Sequence, residues 1–174
     1  EDHKIGGAGN VAANVVSMGG RAGVLGAIGH DRAGDDLKKL LETSGIDISP
    51  VITDLKRRTT IKSRHMAGPQ QLVRVDREDR GPLSPEAAAH AVNYVKKHAS
   101  EYNLIIISDY GKGVLSRELL EATIQAARAA GVRVLVDPKG SDYSRYRGAS
   151  IVTPNRAEAE LATGSHIRNT AAGN

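Results

Sequence analysis

The chain has 174 residues with 40% hydrophobic and 25% charged side chains and no cysteine, which excludes a disordered chain, a disulfide scaffold and a cysteine-based zinc site. Lysine and arginine number 24 against 20 acids, a formal charge of +4 that suits a small anionic ligand, while five tyrosines with no phenylalanine or tryptophan leave few stacking rings for nucleic acid. No apolar run is long enough to span a bilayer, and the polar opening Glu1-Asp2-His3-Lys4 is unlike a signal peptide, so a cytoplasmic protein with no membrane or nucleic-acid partner is expected.

In chain order, Gly6-Gly7-Ala8-Gly9-Asn10 leads into a helical run to Met18, which Gly19-Gly20 closes. The glycines either admit a ligand to the helix N-terminus or allow close helix packing. They imitate a dinucleotide fingerprint with Asp31 as its acid, but no strand precedes Gly6 in this sequence. Ala22 to Ile28 reads as a short buried strand and Asp31 to Gly34 as a turn. Asp35 to Thr43 reads as a helix that ends at Gly45. Val51-Ile52 is a short apolar run. Thr59–Arg64 and Leu72–Asp76 read as the strands of a hairpin turning at Ala67-Gly68-Pro69-Gln70. Leu72, Arg74 and Asp76 alternate with Val73 and Val75, the pattern of a sheet wet on one face. This hairpin interrupts an α/β pattern as an inserted lid would.

From Ser84-Pro85-Glu86 a helix is expected to about Ser100. Leu104–Ile107 is a continuous apolar run, the pattern of a strand buried on both faces. A helix capped by Ser116 and ended by Gly131 follows, then a strand at Val132–Val136, another at Ile151–Thr153, and a helix from Asn155 to about Thr163. These β-α-β steps imply a parallel sheet.

Ligands of open parallel sheets bind beyond the carboxyl ends of the strands. There this sequence places Ser108-Asp109-Tyr110-Gly111-Lys112-Gly113, Asp137-Pro138-Lys139-Gly140 and Thr153-Pro154-Asn155. Asp109 and Asp137 suit a sugar hydroxyl or a hydrated metal, and Lys112 and Lys139 suit phosphate. The competing reading is ordinary turn chemistry and solvated lysine. Asn155-Arg156-Ala157-Glu158 has the spacing of a capping box, favoured over catalysis on geometry alone and compatible with it. The six histidines are scattered, and no nucleophile elbow or Walker-type loop is present.

Together, Gly6-Gly7-Ala8-Gly9-Asn10, Gly19-Gly20, Gly29-His30-Asp31 with Gly34-Asp35, and Asn155-x-x-Glu158 resemble the motifs of the ribokinase-like (PfkB) carbohydrate kinases. Ser108–Gly113, Asp137–Gly140 and Tyr146-Arg147-Gly148-Ala149 are similar to the heptose kinase branch, whose members phosphorylate D-glycero-β-D-manno-heptose 7-phosphate at the anomeric oxygen. Their product feeds ADP-heptose and lipopolysaccharide precursor synthesis, and the kinase is often fused to an adenylyltransferase. The resemblance implies an α/β, ribokinase-like parallel-sheet sandwich with a small β lid at about residues 46–80, with ATP and magnesium (Mg2+) as cofactors. It implies that Gly6, Gly7 and Asn10 contact the sugar and that Arg64, Gln71 or Arg74 reaches the substrate phosphate from the lid. It also places Asp109 and Asp137 near substrate, Lys112 and Lys139 near the phosphates, and Asn155 and Glu158 around the metal, Glu158 through water. A homodimer through the lid is a further expectation. The family's first strand and its Gly-Ala-Gly-Asp run, which carries the catalytic base, have no counterpart in these residues; Ala171-Ala172-Gly173-Asn174 offers no Asp. A partial kinase domain without turnover is therefore expected. The alternatives are a kinase of the same family acting on another sugar or a nucleoside, and a non-catalytic sugar-phosphate-binding module.

Overall fold

A computed structural model describes residues 3–167, so Ala171–Asn174 and the first two residues lie outside the described residues. The chain divides into two units, the first comprising residues 3–94 with 112–114 and the second residues 95–111 with 115–167. The division falls within α3 (Pro85–His98).

In the first unit, α1 (Ala8–Ser17) starts from Gly7, whose φ of 56° lies in the left-handed region that favours glycine. Gly9 is buried, and a Cβ there would lie 2.4 Å from Ile5 Cγ2 and 3.3 Å from Leu41 Cδ2, so close packing accounts for this glycine. Gly6 has open space around it. α2 spans Arg32–Thr43. The turn expected over 31–34 is instead its N-terminus: Asp31 is the cap, and the Gly34 N–H donates to its Oδ1 at 2.9 Å. Ala12, Leu41 and Ile46 form the small core, flanked by Val16, Leu37 and Val51.

The strand expected from Ala22 is shorter, β1 at Gly26–Ile28, paired in parallel with β2 at Val51–Thr53. An isolated bridge joins Gly23 to Asp47, but the ladder does not continue from it. The Asp47 carboxylate accepts from the Ser49 N–H and hydroxyl, and this local turn lifts residues 48–50 out of register.

β3 (Ile61–Ala67) and β4 (Gln70–Arg77) form the expected antiparallel hairpin, with a bulge between His65 and Met66. β2 pairs with β1, and β3 and β4 form a two-stranded sheet of their own. β4 is exposed on both faces rather than one, Val73 and Val75 included, since no described residue covers the apolar side. The base of the hairpin, by contrast, is tied down. The Thr59 N–H donates to Asp31 Oδ2 at 2.9 Å, the Gly29 N–H to Thr59 Oγ1 at 2.9 Å, and the Arg58 N–H to Asp79 Oδ2 at 2.7 Å. Buried Asp54 accepts from the N–H groups of Lys56 and Ser84.

In the second unit, β5 (Leu104–Ser108), β6 (Arg133–Asp137) and β7 (Ile151–Val152) pair in parallel in that order. α4 (Arg117–Ala129) lies between the first two in sequence, capped by Ser116, whose side chain accepts the Leu119 N–H. It packs Leu120, Ile124 and Ala127 against Ile107, Val134 and Val136, all buried. That covers one face of the sheet only. Leu104, Ile106 and Ile151 lie on the other face, Ile106 in register with Ile151 through Leu135, and are 41%, 43% and 49% exposed, so β5 is not buried on both faces as its composition suggests. α5 (Arg156–Thr163) follows β7.

Candidate functional site

Parallel pairing brings the carboxyl ends of β5, β6 and β7 to one edge of the second unit. An open cleft of about 340 Å³ lies there, its lining drawn from Asp109-Tyr110 after β5, Asp137 at the end of β6 with Pro138-Lys139 after it, and Thr153–Asn155 with Glu158 after β7. Four of the residues singled out from sequence as acids or cap, Asp109, Asp137, Asn155 and Glu158, thus meet in one place, together with Lys139.

Their states differ. Asp109 is 5% exposed, and its carboxylate is engaged within the protein. Oδ1 accepts the Gly111 N–H at 2.8 Å, Oδ2 accepts the Tyr146 hydroxyl at 2.7 Å, and the Arg145 guanidinium stands 3.5 Å from Oδ2. Asp109 therefore fixes the loop after β5. Asp137 is exposed, and its carboxylate has no partner among the described residues. The Lys139 ammonium lies 3.5 Å from Glu158 Oε1. Glu158 Oε2 accepts the Asn155 N–H at 3.0 Å while Asn155 Oδ1 accepts the Glu158 N–H at 3.0 Å, so the capping box is complete. One Glu158 oxygen thus holds the helix start and the other faces the cleft cation.

Tyr146 links two of the loops. Its hydroxyl donates to Asp109 and accepts the Lys139 N–H at 3.1 Å. Burial first, and then the Asp109 carboxylate, push the phenol up to about 12, so it remains a donor at neutral pH. Arg145 stacks 5.5 Å over the Tyr146 ring and donates to the Leu115 carbonyl at 2.7 Å. Sequence reasoning gave neither residue a role. The signal in the sequence was the Tyr146-Arg147-Gly148-Ala149 run, which marks the family branch without saying what the hydroxyl meets.

Lys112 does not line this cleft. Its ammonium is paired with Glu78, and its loop groups with the hairpin unit. Gly113 permits this placement: a Cβ on it would lie 1.9 Å from the Gly81 carbonyl oxygen. In the first unit Gly6, Gly7 and Asn10 sit at the exposed start of α1. Arg64 and Arg74 are direct cross-strand partners on one face of the hairpin, and alternation puts Gln71 on the other.

The donor set of the cleft fits a hydrated cation beside phosphate. An unpartnered carboxylate, a second carboxylate oxygen and an ammonium stand together at a helix start, suiting contact through water. Among the described residues no three His, Cys, Asp or Glu side chains come together to enclose a bare ion.

The chain is 46% identical over 169 residues to the bifunctional protein HldE of Geobacter sulfurreducens, a match covering 97% of this chain and 34% of that protein. It therefore spans about a third of the length of the curated relatives it matches. Among solved structures, the 2-dehydro-3-deoxygluconokinase of Thermotoga maritima superposes with a TM-score of 0.75 at 18% identity, covering 97% of this chain and 56% of that one. The Arabidopsis thaliana ribokinase complexed with ribose and ATP gives 0.65 at 15% identity, over 93% and 52%. These two likenesses establish a ribokinase-like α/β fold. The model of the pfkB family carbohydrate kinases matches residues 2–173, nearly the whole sequence, and the chain belongs to that family.

Proposed function

We propose that this chain is the substrate- and metal-organising portion of a cytoplasmic sugar-phosphate kinase that transfers the γ-phosphoryl group of ATP to the anomeric oxygen of heptose 7-phosphate, for ADP-heptose and lipopolysaccharide precursors. The observation that carries the reading is the strand-end cleft, where unpartnered Asp137 stands with the Lys139–Glu158 pair at the start of α5. The 46% identity to a bifunctional protein HldE along nearly all of this chain supports the substrate class.

ATP would supply the phosphoryl group and magnesium would neutralise its charge. Glu158 and Asp137 would orient the metal's water shell, with Asn155 fixing the Glu158 carboxylate through the capping box. Lys139 would meet a phosphate oxygen, exchanging its 3.5 Å contact with Glu158 for a shorter one. Asp109 would hold the β5 loop and meet a sugar hydroxyl only with a lone pair left over from Gly111 and Tyr146. Gly6, Gly7 and Asn10 would receive the sugar, open space around Gly6 admitting it to the helix start. The β3–β4 hairpin would act as the lid and pair with a second copy through exposed Val73 and Val75. A concentration-independent monomer by light scattering would refute that pairing.

The 174 residues contain no Gly-Ala-Gly-Asp run, so the base that accepts the anomeric proton is proposed to come from outside them. The test is to incubate the 174-residue chain, and a longer protein carrying it together with a Gly-Ala-Gly-Asp run, with ATP, magnesium and heptose 7-phosphate. Bisphosphate should form with the longer protein only and be lost in Glu158→Gln. Turnover by the 174 residues alone, or an unaffected Glu158→Gln, contradicts the reading.

A further inference from the structure

Arg145 does not line the strand-end cleft, yet it touches both ends of a loop that does. Between Asp109 and Leu115 the chain leaves the second unit: residues 112–114 group with the first, where Lys112 pairs with Glu78. Gly111 and Gly113 in this stretch have positive φ, a conformation glycine adopts freely and at a high entropic cost of ordering. The Asp109 end is held to the sheet, its N–H donating to the Asp137 carbonyl at 2.9 Å. The Arg145 guanidinium spans from that end to the other. Nη1 stands 3.5 Å from Asp109 Oδ2, and Nη2 donates to the Leu115 carbonyl at 2.7 Å.

The base from which Arg145 reaches is itself fixed. It lies in a short 3-10 turn, Tyr143–Tyr146, whose start is capped by Asp142 accepting the Ser144 N–H at 2.9 Å. Beyond the turn, the Ala149 N–H donates to the Tyr146 carbonyl at 3.0 Å. The guanidinium stands over the Tyr146 ring, and a planar fork supported in this way is pre-organised for two acceptors, as a lysine ammonium is not. Among the described residues Arg145 is also the one cation paired with the buried Asp109 carboxylate. A carboxylate offers about four lone-pair sites. Tyr146 and Arg145 take those on Oδ2 and Gly111 takes one on Oδ1, so the site left over is on Oδ1.

We propose that Arg145 is a positioning residue for the carbohydrate: by joining the two ends of the Asp109–Leu115 loop it holds Asp109 in the cleft with one Oδ1 lone pair free for a sugar hydroxyl. A carboxylate accepts from hydroxyls and repels phosphate, so the effect of Arg145 falls on the sugar and not on the nucleotide. Lys139, the cleft group suited to phosphate, has its N–H held by the Tyr146 hydroxyl and makes no bond to Arg145. The inference rests on the kinase reading for the identity of the sugar, but the grip on the loop does not depend on it.

Two measurements test it. In the 174-residue chain, hydrogen exchange of the Gly111 amide reports its bond to Asp109 Oδ1 and should be about tenfold faster or more in Arg145→Met. In the longer protein carrying this chain, Arg145→Met should raise the KM for heptose 7-phosphate about tenfold, as for one lost charge-assisted contact. The KM for magnesium-ATP and kcat should change by less than about twofold. Arg145→Lys should recover little of the loss. Free guanidinium should lower the raised KM of Arg145→Ala, since a side chain 31% exposed leaves a site open to solvent. Val134→Ala, a core truncation near the start of β6, controls for lost stability and should keep the wild-type KM. Unaltered circular dichroism shows that the variants fold, and Arg145→Lys carries both measurements if Arg145→Met does not. Wild-type Gly111 exchange, a wild-type sugar KM in both Arg145 variants, or an equal rise in Val134→Ala would each overturn the proposal. Faster Gly111 exchange with no phosphate transfer by the longer protein would keep the grip and remove the kinase reading. Transfer with an unchanged sugar KM in Arg145→Met would do the reverse.

Discussion

Tyr146→Phe removes one oxygen atom from the second unit and keeps the ring that packs in its core. The hydroxyl is buried, with the residue 2% exposed, and it makes two bonds that join separate loops. It donates to the Asp109 carboxylate at 2.7 Å and accepts the Lys139 N–H at 3.1 Å. A hydrogen bond to a charged group contributes about 1.5–3 kcal/mol, and the Lys139 N–H loses its acceptor at the same time. Asp109 keeps the Gly111 N–H and Arg145 as partners, which limits the loss. The expected cost is therefore about 2 kcal/mol, read as a lower urea midpoint at unchanged slope by circular dichroism. Asp109→Asn and the double variant complete a cycle, in which a coupling of about 1 kcal/mol or more is expected for groups in direct contact. pH gives a second readout. The phenol's folded pKa of about 12 lies above the ordinary 10.0, so the Tyr146 contribution is complete below 10.0 and is lost as pH rises through about 12. The gap between wild type and Tyr146→Phe should close over that interval. A Phe variant within about 0.5 kcal/mol of wild type at pH 7 would refute the view that this hydroxyl ties the loops together.

Asp31→Ala should cost about 2 kcal/mol, because it removes both the α2 cap and the acceptor of the Thr59 N–H at the hairpin base. Burial pushes the Asp31 carboxyl up, but bonds from Thr59 and Gly34 outweigh it and hold the group below its usual 3.8. Its stabilisation is thus present above 3.8 and fades as pH falls below that, so urea midpoints of wild type and variant should converge in acid. On β5, Ile107→Ala should cost about 2–4 kcal/mol and Ile106→Ala under about 1 kcal/mol, since only Ile107 faces α4. Equal losses at the two positions would contradict the one-sided packing of this sheet.

Local chemistry and the strand pairing that follows from pattern were legible in the sequence, and contacts between side chains far apart in it were not. Ser116 before α4, Gly131 after it and the Asn155–Glu158 box act on groups within four residues, so their spacing alone predicts them. The strand-end rule brought Asp109, Asp137, Lys139 and Asn155 to one cleft because parallel pairing fixes which edge each loop leaves. Lys112 follows the same strand and yet went elsewhere: its partner Glu78 is 34 positions away, and the Gly113–Gly81 approach that this placement requires has no sequence signature. The Leu104–Ile107 run shows a different limit. Apolar composition records a capacity for burial, whereas α4 covers only the Ile107 side. Tyr146 went unassigned because a tyrosine's role depends on what its hydroxyl meets, here Asp109 and Lys139 from two other loops.

The most direct test of the strand-end cleft is a titration of the 174-residue chain with magnesium-ATP, followed by amide NMR. The account predicts saturable shifts at Tyr110, Lys139, Thr153, Asn155 and Glu158, weakened in Lys139→Ala and Asp137→Asn. Shifts confined to other parts of the chain, or identical affinity in both variants, would contradict it.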